Sequence, residues 1–188
     1  MPVAIAAIET GSIAQGTLVA DALVKTAEVE LLEVGPLSPG KFWVLIGGDV
    51  APVRASYRRG LELAADTLLD SLLIPQLDAQ VLPALRGAAT ACDDDSLGVL
   101  ETLTAAAAIV AADAAVKAAR VTLRDVRLAN GLGGKGVVWL TGEVGDVQAA
   151  IAAGRAEAQG RGLLARTVVI PRLHEQLKLR MFGCISRA

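Results

Sequence analysis

Aromatic side chains are nearly missing from this chain: two Phe, two Trp and one Tyr make up 3% of its 188 residues. So thin a supply argues against an aromatic-lined ligand pocket and favours close packing of elements and large subunit interfaces. Histidine is scarcer still, with His174 alone, just after Pro171-Arg172, and no nucleophile stands beside it in sequence. Only two cysteines occur, Cys92 and Cys184, in no CxxC or metal-type spacing, and a reducing cytosol keeps such residues as thiols. Basic charge is not in excess: 18 Lys and Arg face 20 Asp and Glu, for a net charge of -2. That leaves no basic stripe to neutralise a phosphate backbone, so nucleic-acid binding is not expected. No apolar run approaches the roughly 20 residues that span a bilayer. The start, MPVAIAAIET, lacks a basic segment and meets Glu9 early, so no membrane association is expected and the chain reads as cytosolic and soluble.

What the chain does have is alanine, a hydrophobic fraction of 53% and a mean hydropathy of +0.51. It also repeats itself. Glu9-Thr10 recurs as Glu101-Thr102, and DALVKTA from Asp21 recurs as DAAVKAA from Asp113, at a constant offset of 92 residues. The offset grows to 94 at Gly40-Lys41 and Gly134-Lys135, and again at Gly60 and Gly154, then to 96 at Ile74-Pro75 and Ile170-Pro171. Identities spread over every segment, with two small insertions, are the mark of a duplicated unit. The expected organisation is a first domain over 1–88, a polar linker over 89–95 and a second domain over 96–188.

Within the first repeat, residues 3–9 read as a short apolar strand. A helix is predicted over Ile13–Thr26, with Ala20, Leu23, Val24 and Ala27 on its apolar face. Val29–Val34 and Phe42–Ile46 are β-rich runs separated by Pro36, Ser38, Pro39 and Gly40. A second helix follows Asp49, a candidate N-cap, and Leu68–Ile74 is a final strand stopped by Pro75, with a short terminal helix or turn beyond. The order β-α-β-β-α-β is that of a ferredoxin-like split unit or a permutation of it, so the fold class is α/β (α+β) with two tandem domains.

These segments resemble the tandem-domain shell proteins of bacterial microcompartments, most closely the propanediol-utilisation type. The resemblance covers nearly the whole chain. It is carried by IETGSIAQG, DALVKTA and DAAVKAA, SPGKF followed by GGDV, LLIP, VLETLTAAA, GLGGKG, GEVGDV and VIPRLHEQ. It implies a homotrimer of two-domain chains that mimics a hexamer and packs edge to edge with other shell proteins. It also implies a central pore for small metabolites, lined by Leu37, Ser38, Pro39 and Gly40 and by Gly131, Leu132, Gly133 and Gly134. Glycine and proline suit loops that converge on an axis, where backbones approach closely and dihedrals are unusual. At the tile edge the resemblance places Lys25, Lys117 and Arg172, with Gln76 standing where the first repeat departs from the arginine. Close relatives carry a cysteine at the position of Ser38 and hold an iron–sulfur cluster. Serine is a poor ligand for so soft a cluster, so no cofactor is expected here.

Other chemistries have little to stand on. GLGGKG lacks the full phosphate-loop pattern and lies between two strands, with no helix N-terminus behind it. Asp93, Asp94 and Asp95 are consecutive and cannot easily converge on one ion, so they read as solvated linker. Glu9 and Glu101 end equivalent strands and read as helix-capping or interface groups, not as an acid/base pair. The chain is not expected to be an enzyme. The alternatives are a trimeric small-molecule-binding regulatory protein, or a pore iron–sulfur electron-transfer protein.

Overall fold

A computed structural model of the chain describes residues 3–87 and 96–182. The first repeat runs β1 (Ala4–Thr10), α1 (Ile13–Thr26), β2 (Glu30–Leu37), β3 (Lys41–Gly48), α2 (Val50–Ala64), β4 (Leu68–Ile74) and α3 (Val81–Leu85). The second runs β5 (Ser96–Thr102), α4 (Ala105–Ala118), β6 (Val121–Leu128), β7 (Gly136–Gly142), α5 (Val144–Gly160), β8 (Leu164–Ile170) and α6 (Glu175–Phe182). Each repeat makes a four-stranded antiparallel sheet, in the order β2-β3-β1-β4 and β6-β7-β5-β8. The α/β class and the β-α-β-β-α-β order are therefore as expected. Cys92 and Asp93–Asp95 of the expected linker, and Cys184, lie outside the described residues.

Two compact units result. One holds the residues up to Leu77 together with Thr104–Ala107 and Ala129–Gly134; the other holds Asp78–Leu103, Ala108–Leu128 and the residues from Lys135 onward. In the first unit, β1 is apolar along AIAAI and buried at every position, as a central strand hydrogen-bonded on both sides must be. Ile8, Val19, Leu23, Val44, Ile46 and Val53 form the core between sheet and helices. Ser12 caps α1, its hydroxyl accepting the Gln15 amide at 3.2 Å. Gly16 lets α1 lie close on β3: a Cβ there would stand 2.5 Å from Phe42 Cβ.

Three local expectations shift. Val24, placed on the apolar face of α1, is exposed, and the buried set is Gly16, Val19, Ala20 and Leu23. That face is set by which side of the helix meets the sheet, one step round from the alanine-rich stripe. Asp49 stands at the N-cap of α2 but makes no side-chain capping bond. β2 continues through Pro36, which pairs with Phe42; β2 is an edge strand, where a residue without an amide hydrogen is tolerated.

Candidate functional site

The β2–β3 and β6–β7 connections, expected from sequence to be the functional loops, both contribute to the first unit, which contains Leu37–Gly40 and Ala129–Gly134. Leu37 is buried at the end of β2, while Ser38, Pro39 and Gly40 are exposed. The Ser38 amide donates to Asn130 Oδ1 at 3.2 Å, and the Leu132 amide donates to the Ala129 carbonyl at 2.9 Å to close a turn. Gly134, at φ +89°, is buried beneath Pro39; its dihedral favours glycine, and a Cβ there would crowd Pro39 Cδ at 3.1 Å. Gly131 and Gly133 also have positive φ and are exposed, and Leu132 is half-buried. The structure thus brings the two loops together. Asn130, which sequence reasoning missed, ties them; its one legible signal was its place beside the glycine run, where turns favour Asn.

Beneath these loops lies a buried ionic group. Glu9 is fully buried, and its carboxylate receives Lys41 Nζ at 2.7 Å on Oε1 and the Ala105 amide at 2.9 Å on Oε2. It therefore caps the first turn of α4, whereas α1, the next helix in sequence, is capped by Ser12. Beside it Thr104 donates its hydroxyl to Asp70 Oδ2 and accepts the Ala107 amide at 3.2 Å. A buried carboxylate with both oxygens occupied by a cation and an amide is a structural pin.

The two expected edge lysines each pair within their own helix. Lys25 Nζ lies 2.7 Å from Asp21 and Lys117 Nζ lies 2.5 Å from Asp113, both one helical turn back. Their side chains are 72% and 44% exposed, so each ammonium faces water from the end of its helix. Arg172 and Gln76 are exposed just after β8 and β4. Among the described residues, no group of three or more His, Cys, Asp and Glu could hold a metal ion, and no helix is long and apolar enough to cross a membrane.

Comparison with known proteins places this architecture. The BMC domain family matches residues 4–77 and again 96–173. The bacterial microcompartment shell protein PduT of Citrobacter freundii is 42% identical over 181 residues, covering 96% of this chain and 98% of that protein. The bacterial microcompartment shell protein EutM of Escherichia coli is 43% identical over 84 residues, 45% of this chain and 84% of that protein. Among solved structures, a microcompartment protein from Desulfitobacterium hafniense superposes with a TM-score of 0.83 at 44% identity, over 93% of this chain and 97% of that one. With two BMC domains in tandem and a relative of this identity along almost its whole length, the chain belongs to the bacterial microcompartment shell proteins.

Proposed function

We propose that this chain is a structural tile of a bacterial microcompartment shell, in the bacterial cytoplasm, and that it carries out no catalysis. The observation that carries this is the tandem pair of BMC domains at 42% identity to a shell protein over 96% of the chain. Three copies form a homotrimer with six domains about one axis, and such tiles join other shell proteins edge to edge. Lys25, Lys117 and Arg172 are the edge residues; their exposed positions after or near the ends of α1, α4 and β8 support that role.

In this assembly Leu37–Gly40 and Gly131–Gly134 line a central pore for small polar metabolites. Exposed Ser38 and Gly40, Gly131 and Gly133 support it, since they offer a hydroxyl and backbone groups with little bulk. The same loops do not fit an iron–sulfur cluster. Their side-chain donors are the Ser38 hydroxyl and the Asn130 amide, hard oxygen and nitrogen groups that bind iron weakly beside sulfide, and no cysteine stands in either loop.

Light scattering should give three times 19.3 kDa, and electron microscopy of the same sample should show hexagonally packed layers. Lys25→Ala with Lys117→Ala should keep the trimer and lose the layers, because small weak edge contacts act only in large numbers. A trimer that never forms layers, alone or with other shell proteins, and binds a small molecule between subunits would replace the tile with a regulatory protein.

A further inference from the structure

The helices α2 and α5 are equivalent by duplication, yet they cover their sheets differently. In the first unit Tyr57 reaches from α2 to the edge strand β4, half-buried against the core like Leu61 and Leu73, and its hydroxyl shares a hydrogen bond with Ser71 at 2.8 Å. Strand register fixes the counterpart of that serine: Ser71 pairs with Ile8 and Thr167 with Leu100, and Ile8 and Leu100 stand 92 residues apart in equivalent strands. On the helix the offset is 94, as at Gly60 and Gly154. Ile151 therefore replaces Tyr57, Ala152 replaces Arg58, Arg155 replaces Leu61 and Ala156 replaces Glu62.

Most of these exchanges remove bulk, and one adds charge. They leave an open groove of about 400 Å³ between α5 and β8, lined on its apolar side by Ile151, Ala152, Ala156 and Val169. A volume of this order accepts a small organic ligand, and an apolar lining with a few polar groups is the usual composition of such sites. The polar groups include Thr167, half-buried on β8, and Arg155, exposed on the rim. Arg155 Nε donates to Gln159 Oε1 at 3.4 Å, and among the described residues no carboxylate pairs with it. The equivalent face of the first unit is also turned to solvent, with Arg54, Arg58 and Glu62 exposed. Every lining residue belongs to the second unit, so the groove is complete within one chain.

We propose that this groove binds a small aromatic carboxylate carrying a ring hydroxyl, which puts back in the second unit the phenol that Tyr57 supplies in the first. The ring lies over Ile151 and Val169, in the place that the tyrosine ring takes beside α2. Its hydroxyl shares a hydrogen bond with the Thr167 hydroxyl, as Tyr57 does with Ser71. Its carboxylate turns outward to Arg155, whose planar guanidinium suits a partner with two oxygens. That charge, standing where the first unit has leucine, favours an anion over a neutral phenol. An aliphatic acid would make the apolar contact but leave the Thr167 hydroxyl unmatched. The site is separate from the loops and from the edge residues, and it stands whether or not the chain forms a tile.

Saturation-transfer NMR on the full chain, with 4-hydroxybenzoate as the probe, tests it. Binding is expected with a Kd on the order of 1 mM, the range for about ten heavy atoms in an open groove. Benzoate, which lacks the hydroxyl, should bind about threefold more weakly, and Thr167→Val should remove that difference. Arg155→Leu, which restores the first unit's residue at an exposed position, should weaken 4-hydroxybenzoate about threefold and leave phenol unchanged. Ile151→Tyr refills the groove and should abolish binding. Because Ile151 is buried and its exchange can disturb the fold, Ala156→Glu on the exposed rim provides a second test, and should weaken the probe by repelling its carboxylate. Binding that none of these variants changes lies elsewhere on the chain and overturns the proposal. So does a wild-type chain that leaves the probe unbound up to about 20 mM, which would leave the groove to a partner's side chain.

Discussion

α1 and α4 carry the same motif, DALVKTA in one and DAAVKAA in the other, yet they live in different surroundings. Asp21 is exposed and pairs only with its own helix, at Lys25, whereas Asp113 is buried and accepts the Asp78 amide as well as Lys117. The two glutamates divide in the same way, Glu9 wholly buried and Glu101 partly exposed, each with a lysine at hand. Duplication copied the chemistry of the repeat. Burial was then decided by what lies against each copy, and the same carboxylate is a buried pin in one place and a partly exposed ion-pair partner in the other.

The sharpest way to break this comparison is to remove the two carboxylates in turn. Glu9→Ala leaves the Lys41 ammonium without its partner and strips the Ala105 amide, and should cost about 3 kcal/mol or more in chemical denaturation. Glu101→Ala removes a longer, exposed pair, and should cost less than about 1 kcal/mol of the same stability. Equal losses would show that burial does not separate the two.

Next come Gly60 and Gly154, equivalent residues of α2 and α5. A Cβ on Gly154 would stand 2.7 Å from the Ala111 carbonyl oxygen, which is fixed backbone. On Gly60 the nearest atoms are the ends of Ile8 and Leu23, at 2.5 Å and 2.7 Å, and these side chains can turn aside. Gly154→Ala should therefore cost about 2–3 kcal/mol and Gly60→Ala about 1–2 kcal/mol, measured by thermal unfolding. The reverse order would mean that backbone yields more easily than the packed Ile8 side chain.

A smaller difference concerns the helix faces beside the last strands. Tyr57 of α2 bonds Ser71 of β4 through their hydroxyls at 2.8 Å. Its counterpart in α5 is Ile151, and there the space beside Thr167 and Val169 is an open groove of about 400 Å³. Tyr57→Phe should lose about 1 kcal/mol, the worth of one hydrogen bond. Least of all, Lys25→Ala should change the stability of the chain by under about 0.5 kcal/mol, since its pair with Asp21 is exposed and lies within one helix.

Much of this was legible from residues alone. The period of the apolar residues and the Pro and Gly punctuation located the helix over Ile13–Thr26 and the strand over Leu68–Ile74 with their observed limits. The equivalence of Lys25 and Lys117 was plain because a motif present twice marks itself. Val24 was misplaced because a helix stripe states that a face is apolar, not which neighbour will cover it. Asn130 and the cap on α4 were missed for a related reason: the partners are 92 and 96 residues apart.

By itself, then, the sequence determined the duplication, the order of elements in each repeat and the residue types available at each loop and edge, because these depend on local preference and on spacing along the chain. Only the tertiary structure decided that Glu9 would be sealed against Ala105 while Glu101 stays open, and that Gly134 would lie under Pro39. Such outcomes depend on which distant segment arrives beside a residue and removes its water, and two nearly identical segments carry no record of that difference.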